Sequence, residues 1–594
     1  MGACLAPPRK QPKWRVFCIA LLCNVVIYEL PYALTLARTG WTSLPPVMAV
    51  DQMLYLNLSS IQHVSADEVV NPWYGNAVLT SDVPHLRFAA AFVLFRFTRA
   101  LLRSWTVAML LWAATWAALS FWAAVFCLHS FFPDAKPGLV LLSSTGLMVL
   151  APPLTYLAEV RHFWSLPQLL ELHLPFVRFA IPQVIVPAVL IYLGLQARAL
   201  SGGSKSVLGL MALCQFGVCV GFPYFLPVLA IGTGLSILIA KSALSGIRLT
   251  WLSILGFGAT CGFLDIGYLL LGDFRSSQGN VQFNPHLRPE MILPCMKPFM
   301  LVLALFAGLA MISRAAAGTK ATVAGLALAN ALFGFSDVVF PPQAQILDHP
   351  YYLIALTMWL PLLVFLWAFL QHFESRAMSV ALISMVVALS LWESFAIFKS
   401  NQTVNMIQAA ALSEIKKLSL TGQDMVIAPA HSADDISSWI PLVSSARVLY
   451  TSDGENILSA ADTRTVQPLR QSLYLSMAGM DLINLTRITA DHSPDSLLNS
   501  LVQQGERGYE RSPLLSDRLH ARSLVRERLE PLLSTLQDDP TLPNSVFSSY
   551  KRIIVLDTSS EPLFVPTVFS RWMQIDHAYI SNGIRIWICH ARVS

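Results

Sequence analysis

The chain of 594 residues is short of charge: Asp, Glu, Lys and Arg make up 13% of it, against 55% apolar residues and a mean hydropathy of +0.56. An ordinary soluble chain carries about 25% charged residues. That shortage excludes a string of soluble domains, a disordered chain and a coiled coil. A polytopic membrane protein is left. The shortage is also uneven. Residues 1–398 hold 22 Lys and Arg against 15 Asp and Glu, a net +7, whereas residues 399–594 hold 18 against 20, a net −2. So few acids cannot solvate the surface of the first stretch. We therefore read a transmembrane domain over 1–398 and a soluble domain over 399–594.

Other absences narrow the chemistry. No CxxC or other metal-ligand spacing occurs, so no zinc site is expected. Most of the nine cysteines (Cys18, Cys23, Cys127, Cys214, Cys219, Cys261) fall in apolar runs, where Cys behaves as a small hydrophobe. No GxGxxG, Walker or GxSxG motif is present, which leaves nucleotide binding and hydrolase chemistry without support. The pI of 8.7 reflects loop lysines and arginines and gives no reason to expect a nucleic-acid partner. Internal repeats are not visible. A small-residue cleavage site is missing after the basic start, so the run from Val16 reads as a first span rather than a signal peptide.

At about 20 apolar residues per crossing, eleven spans can be placed. They lie at 16–37, 106–130, 138–157, 181–197, 207–221, 224–240, 248–271, 296–313, 321–340, 351–370 and 377–398. Cations cluster in alternate short loops: Arg9 to Arg15, Lys136, Arg198 with Lys205, Lys241 with Arg248, Arg314 with Lys320, and Arg376. The positive-inside rule then puts the N-terminus in the cytoplasm and the tail on the outer, periplasmic or extracellular, side. The chain is expected in a bacterial inner (plasma) membrane, with the lipid bilayer as its first partner.

Two outer loops are long. The first, 38–105, ends on Arg87–Arg103 (RFAAAFVLFRFTRALLR), which sets arginines among apolar residues at helical spacing, as an interfacial helix does. The second, 158–180, mixes aromatics, cations and histidines. In the tail, β-rich runs at Asp424–Ala428, Arg447–Tyr450, Arg552–Leu556 and Ile584–Cys589 alternate with helical stretches at Ser459–Leu482 and Asp517–Leu536. That pattern predicts an α/β domain.

Five acids, Glu29, Glu159, Asp265, Asp337 and Glu393, sit in or beside spans, where a carboxylate is costly. Their shared outer position suggests a hydrated cleft. Asp51 is the most telling carboxylate. It follows Pro45-Pro46 and shares a helical face with Tyr55, so it could enter a cleft and act as a general base toward a hydroxyl. Downstream come Asn71-Pro72-Trp73-Tyr74-Gly75-Asn76, then Asp82-Val83-Pro84-His85-Leu86-Arg87, and later Arg178-Phe179-Ala180-Ile181-Pro182-Gln183. Trp73 and Trp164 read as interfacial belt residues.

These stretches resemble the GT-C superfamily of polyprenyl-phosphate-dependent glycosyltransferases, in particular bacterial protein-mannosyltransferase and arabinosyltransferase-like membrane proteins. The resemblance implies a GT-C-like helical membrane fold. It also implies transfer of a hexosyl or pentosyl group from a polyprenyl-phosphate donor to a glycan, lipid or protein acceptor. Asp51 would be the base. Arg178, Arg161 and His162 would hold the donor phosphate, with His85 and Arg87 as second choices. Gln52 stands where that family often has a second acid, and Asp67 and Glu68 are candidates for a replacement carboxylate. No cofactor is firmly implied, and a divalent metal stays possible. The alternatives are a secondary transporter or flippase working through its intramembrane acids, and a non-catalytic membrane assembly protein.

Overall fold

The computed structural model describes residues 14–39, 56–60, 62–63, 68–79, 89–159, 183–201, 205–221, 225–240, 315–334, 405–430, 435–451, 460–490, 515–539, 541–558 and 562–592, with a few single positions between them. The chain divides into two units. Met1–Gln52, Phe88–Leu270 and Leu287–Thr403 form the first, and Met53–Arg87, Leu271–His286 and Val404–Ser594 the second. Residues 53–87, read from sequence as part of a loop of the membrane domain, thus group with the tail.

The described residues of the first unit form helices: α1 (Trp14–Thr39), α2 (Ala89–Leu102), α3 (Trp105–Phe131), α4 (Pro137–Glu159), α5 (Val186–Leu200), α6 (Lys205–Gly221), α7 (Leu226–Ile239) and α8 (Ala317–Gly334). Among the described residues, α1 and α3 are long and apolar enough to cross a membrane. The 27 residues of α3 rise about 40 Å, more than the roughly 30 Å of a hydrocarbon core. Ser104 starts α3 by accepting the Val107 N–H on its hydroxyl, after Arg103 has ended α2 in a left-handed conformation (φ 56°). The expected spans at 248–271 and 351–370 lie outside the described residues, as does most of 296–313 and 377–398.

Helix α3 packs against α1, α2, α4 and α5, while α7 packs on α8. Small residues let α7 and α8 approach closely. A Cβ at Gly325 would strike Ser236 and the Gly232 carbonyl, and one at Gly232 would press on Leu326. This is the small-residue contact that replaces the hydrophobic driving force between helices in lipid. A buried polar chain joins α5, α6 and α7. Gln215 Nε2 donates to the Tyr192 hydroxyl at 3.0 Å, Tyr192 and Thr233 share a hydrogen bond at 2.6 Å, and Thr233 lies 3.0 Å from Gln196 Oε1.

The second unit carries a small antiparallel sheet, β1 (Gln62–His63), β2 (Glu68–Val70) and β3 (Ala77–Leu79), and a larger α/β body. The body runs α9 (Met406–Lys417), β4 (Asp424–Ile427), α10 (Ile440–Val443), β5 (Arg447–Val448), α11 (Ala460–Met477), α12 (Leu482–Ala490), α13 (Leu515–Asp538), α14 (Thr541–Phe547), β6 (Arg552–Thr558), α15 (Pro566–Phe569), β7 (Met573–Ser581) and β8 (Ile584–Ala591). Its sheet has the order β5-β4-β6-β8-β7, with β4 parallel to β5 and β6 and the last two strands antiparallel. Strands β4 and β6 are buried on both faces, which is why DMVI and RIIVLDT read as nearly unbroken apolar runs. Asn405 and Gln408 open α9 with a reciprocal capping box. At the end of α11, Gly479 takes a positive φ of 77°, so the helix expected over Ser459–Leu482 stops at Met477, and a second helix, α12, begins at Leu482.

Asp424 is 1% exposed, and its two oxygens accept from the Arg552 fork at 2.9 Å each. Burial pushes this carboxyl up, but Arg552 and the Thr421 N–H and hydroxyl outweigh it and hold the group below its usual range. The pair ties the first residues of β4 and β6 together.

Candidate functional site

Asp51, Gln52, Tyr55, Asp67, His85, Arg87, Arg161, His162 and Arg178 lie outside the described residues, as do Asp265, Asp337 and Glu393. Glu68 is described and opens β2, with its backbone opposite Leu79. Its neighbours in sequence can therefore be followed from residue 68 onward.

The Asn-Pro-Trp-Tyr-Gly-Asn stretch is the turn between β2 and β3, and its composition explains its shape. Asn71 Oδ1 accepts the N–H groups of Trp73 (3.0 Å) and Tyr74 (3.1 Å), and the Asn71 carbonyl accepts from Gly75 at 2.8 Å. Pro72 supplies the fixed φ of a turn, and Gly75 the positive φ of 78° that closes it. A Cβ at Gly75 would also collide with the Arg447 guanidinium.

This turn docks onto the α/β body. The Trp73 carbonyl accepts the Val448 N–H at 2.7 Å, which covers the open edge of β5. Trp73 is fully buried, with its indole N–H 3.4 Å from the Ser438 carbonyl, and Asn57 Nδ2 donates to that same carbonyl at 3.0 Å. Tyr74 donates its hydroxyl to the Thr451 carbonyl at 2.9 Å. The buried Arg470 guanidinium lies 4.6 Å from the Tyr74 ring centre and donates to the Val448 carbonyl. The belt role expected for Trp73 is thereby corrected: the ring is core of the second unit. The missed signal was the turn chemistry around it, which a belt tryptophan does not need.

The carboxyl edge of the parallel strands is where ligands of open α/β sheets bind, at the point where connections diverge. Here that point falls between β4 and β6. Two acids sit there, and both are taken up by their own loops. Asp557 accepts from the N–H groups of Thr558 (2.8 Å) and Phe564 (2.7 Å). Asp435 accepts from the Ser438 N–H (3.0 Å) and hydroxyl (2.7 Å). Tyr474, buried nearby, accepts the Ala430 N–H on its hydroxyl at 2.9 Å. These groups fasten loops, and no ligand is needed to satisfy them.

Burial pushes the Asp435 carboxyl up to about 6, although the serine donors pull the other way. The folded chain then holds this proton more tightly than the unfolded chain, whose aspartates titrate near ~4. Stability contributed through Asp435 is therefore greatest below pH ~4 and falls as pH rises through 6, by at most about 3 kcal/mol. Melting curves of the full chain and of Asp435→Asn should diverge between those values, with the wild type losing ground as pH rises. Parallel curves would show that the carboxyl is not held against ionisation.

In the first unit, Gln183, from the Arg178–Gln183 stretch, is 1% exposed and accepts the Trp112 indole N–H at 3.1 Å. Its Nε2 is buried and makes no hydrogen bond. Glu29 Oε1 and the Tyr32 hydroxyl, one turn apart on α1, are also buried without a hydrogen bond. The same face of α1 carries Asn24, bonded to Thr145, and Tyr28, bonded to the Met148 carbonyl. Among the described residues no group of three or more His, Cys, Asp or Glu could hold a metal ion.

No protein-family model and no curated protein matches the chain. Among solved structures it is similar to the archaeal oligosaccharyltransferase AglB from Archaeoglobus fulgidus, determined in complex with an inhibitory peptide and a dolichol-phosphate. The alignment covers 91% of this chain and 69% of that one, at 10% identity and a TM-score of 0.36. A likeness this loose carries no argument about chemistry.

Proposed function

We propose that the chain is a membrane glycosyltransferase of the GT-C type, moving a sugar from a polyprenyl-phosphate donor to a glycan, lipid or protein hydroxyl. The observation that supports this most is the state of the first loop. Asp51 precedes it in sequence, and residues 56–60 and 68–79 of the loop are a folded part of the α/β unit, bonded through Asn57, Trp73 and Tyr74. Helices able to cross a bilayer precede and follow it in sequence. An enzyme that works from a loop-borne acid needs such an ordered loop, whereas a transporter needs its acids among the helices.

In this reading the acceptor hydroxyl gives its proton to the Asp51 carboxylate while its oxygen bonds to the anomeric carbon. The bond from that carbon to the lipid phosphate breaks, and the phosphate leaves with the electron pair. Charge grows on the departing oxygen, so Arg178, with Arg161 and His162, is assigned to it. An arginine fork can give the phosphate two parallel hydrogen bonds. No step is routed through a metal.

Transfer assayed with the full chain in vesicles, using a polyprenyl-phosphate sugar and a hydroxyl acceptor, tests the reading. Arg178→Ala should slow transfer about a hundredfold, with donor dependence hit harder than acceptor dependence. Unchanged donor dependence would remove Arg178 from the phosphate.

A further inference from the structure

At the amino edge of the parallel strands, cations outnumber their partners. Asp424 opens β4, Arg447 opens β5 and Arg552 opens β6. Asp424 gives both oxygens to Arg552, and one of them also accepts from Thr421. Arg447 is left over. It is half-buried, and no described residue forms a hydrogen bond or an ion pair with its guanidinium.

The surroundings of Arg447 form a recess. Its guanidinium lies against Gly75, where any Cβ would collide with it, and a Cβ at Gly422 would come within 3.5 Å of Nη2. Gly422 is exposed, so solvent reaches the recess beside it. Tyr550 is near enough to act on Arg447 electrostatically. The Tyr550 hydroxyl also lies 3.5 Å from Arg470 Nη2, on a guanidinium already engaged with the Val448 and Leu449 carbonyls and the Tyr74 ring. A phenol that accepts from one arginine still has its own proton to donate. Burial pushes the Arg447 guanidinium down from its usual range, and no carboxylate offsets that push. Arginine stays charged all the same, and a cation drawn part-way out of water without a counter-charge is costly.

We propose that this recess binds an oxyanion, the phosphate or carboxylate group of a small ligand, on the Arg447 fork and the Tyr550 hydroxyl. The planar fork gives either group two parallel hydrogen bonds, and the phenol adds a third. A neutral sugar hydroxyl would leave the cation uncompensated. The proposal does not depend on the glycosyltransferase reading.

The test titrates the full chain in detergent, at constant ionic strength in chloride, with inorganic phosphate, glucuronate and glucose, and reads the heat of binding. At least one of the two anions should bind saturably, and glucose should not. The tighter anion names the group that the recess takes. Arg447→Gln should weaken its binding at least about tenfold, and Tyr550→Phe about fivefold. Arg447→Lys should fall between wild type and Arg447→Gln, since it keeps the charge and loses the fork. Without added anion, Arg447→Gln should melt no lower than wild type, and phosphate or glucuronate should no longer raise its midpoint. Should Arg447→Gln fail to fold, Tyr550→Phe carries the same titration. Saturable binding of neither anion, or equal binding of glucose, would overturn the proposal. So would an affinity unchanged in Arg447→Gln and Tyr550→Phe. An Arg447→Gln chain that melts lower yet still binds the anion would make the arginine a packing residue of the turn instead.

Discussion

With Asp51→Asn, the chain should fold, insert and fail to transfer sugar. The change keeps the size and shape of the side chain and removes only its ability to accept a proton as the acceptor oxygen attacks. General-base catalysis contributes about 10²–10⁴-fold, so transfer should drop by at least about a hundredfold. The same preparation should melt at the wild-type temperature and bind donor with little change, since the base touches the acceptor rather than the lipid phosphate. Transfer at the wild-type rate would remove Asp51 as the base. Weakened donor binding with an intact rate would move it from proton transfer to donor binding.

Periodicity and hydropathy located local elements well where one element carries its own signal. The runs read as spans at 16–37 and 106–130 are the helices α1 and α3, which outrun the expected ends by one to two residues. The fourth expected span began at 181, whereas α5 begins at Val186, with a proline in its first turn. In the tail, the runs at 424–428, 447–450, 552–556 and 584–589 coincide with β4, β5, β6 and β8.

Strand β7 was missed because it is exposed on both faces over most of its length and lacks an apolar alternation to detect. Its turn was legible all the same. Asn582-Gly583, with φ values of 51° and 79°, is the dipeptide that closes a two-residue hairpin between β7 and β8.

Long-range partnership left no such trace. Nothing in residues 53–87 says that their partners are Ser438, Val448 and Thr451, more than 360 residues away. The candidate site shares this difficulty. Asp51, Arg161, His162 and Arg178 were singled out by residue type and motif, and no local pattern encodes the packing that a shared site would need. Gln183 shows the difference. It was quoted only as the end of a motif, and it is the buried acceptor for Trp112.

Trp73→Ala should cost the second unit about 3–5 kcal/mol, the range for removing a large aromatic from a packed interior. The ring is fully buried, and its own carbonyl holds the edge of β5, so truncation empties a cavity beside that contact. The damage should be local. Amide exchange should speed up at Val448, whose N–H donates to Trp73, and in the turn from Asn71 to Asn76, before it does in β6 at the centre of the sheet. A tryptophan at the membrane interface would behave differently, leaving the melting of the α/β body and the protection of Val448 unchanged. Because Asp51 lies only five residues before the first described helical residue of this segment, Trp73→Ala should also lower transfer without touching any group assigned to the reaction. Melting and exchange changes with full transfer would mean that the acid is held in place by the first unit alone, and that the folded loop serves the α/β unit rather than the chemistry.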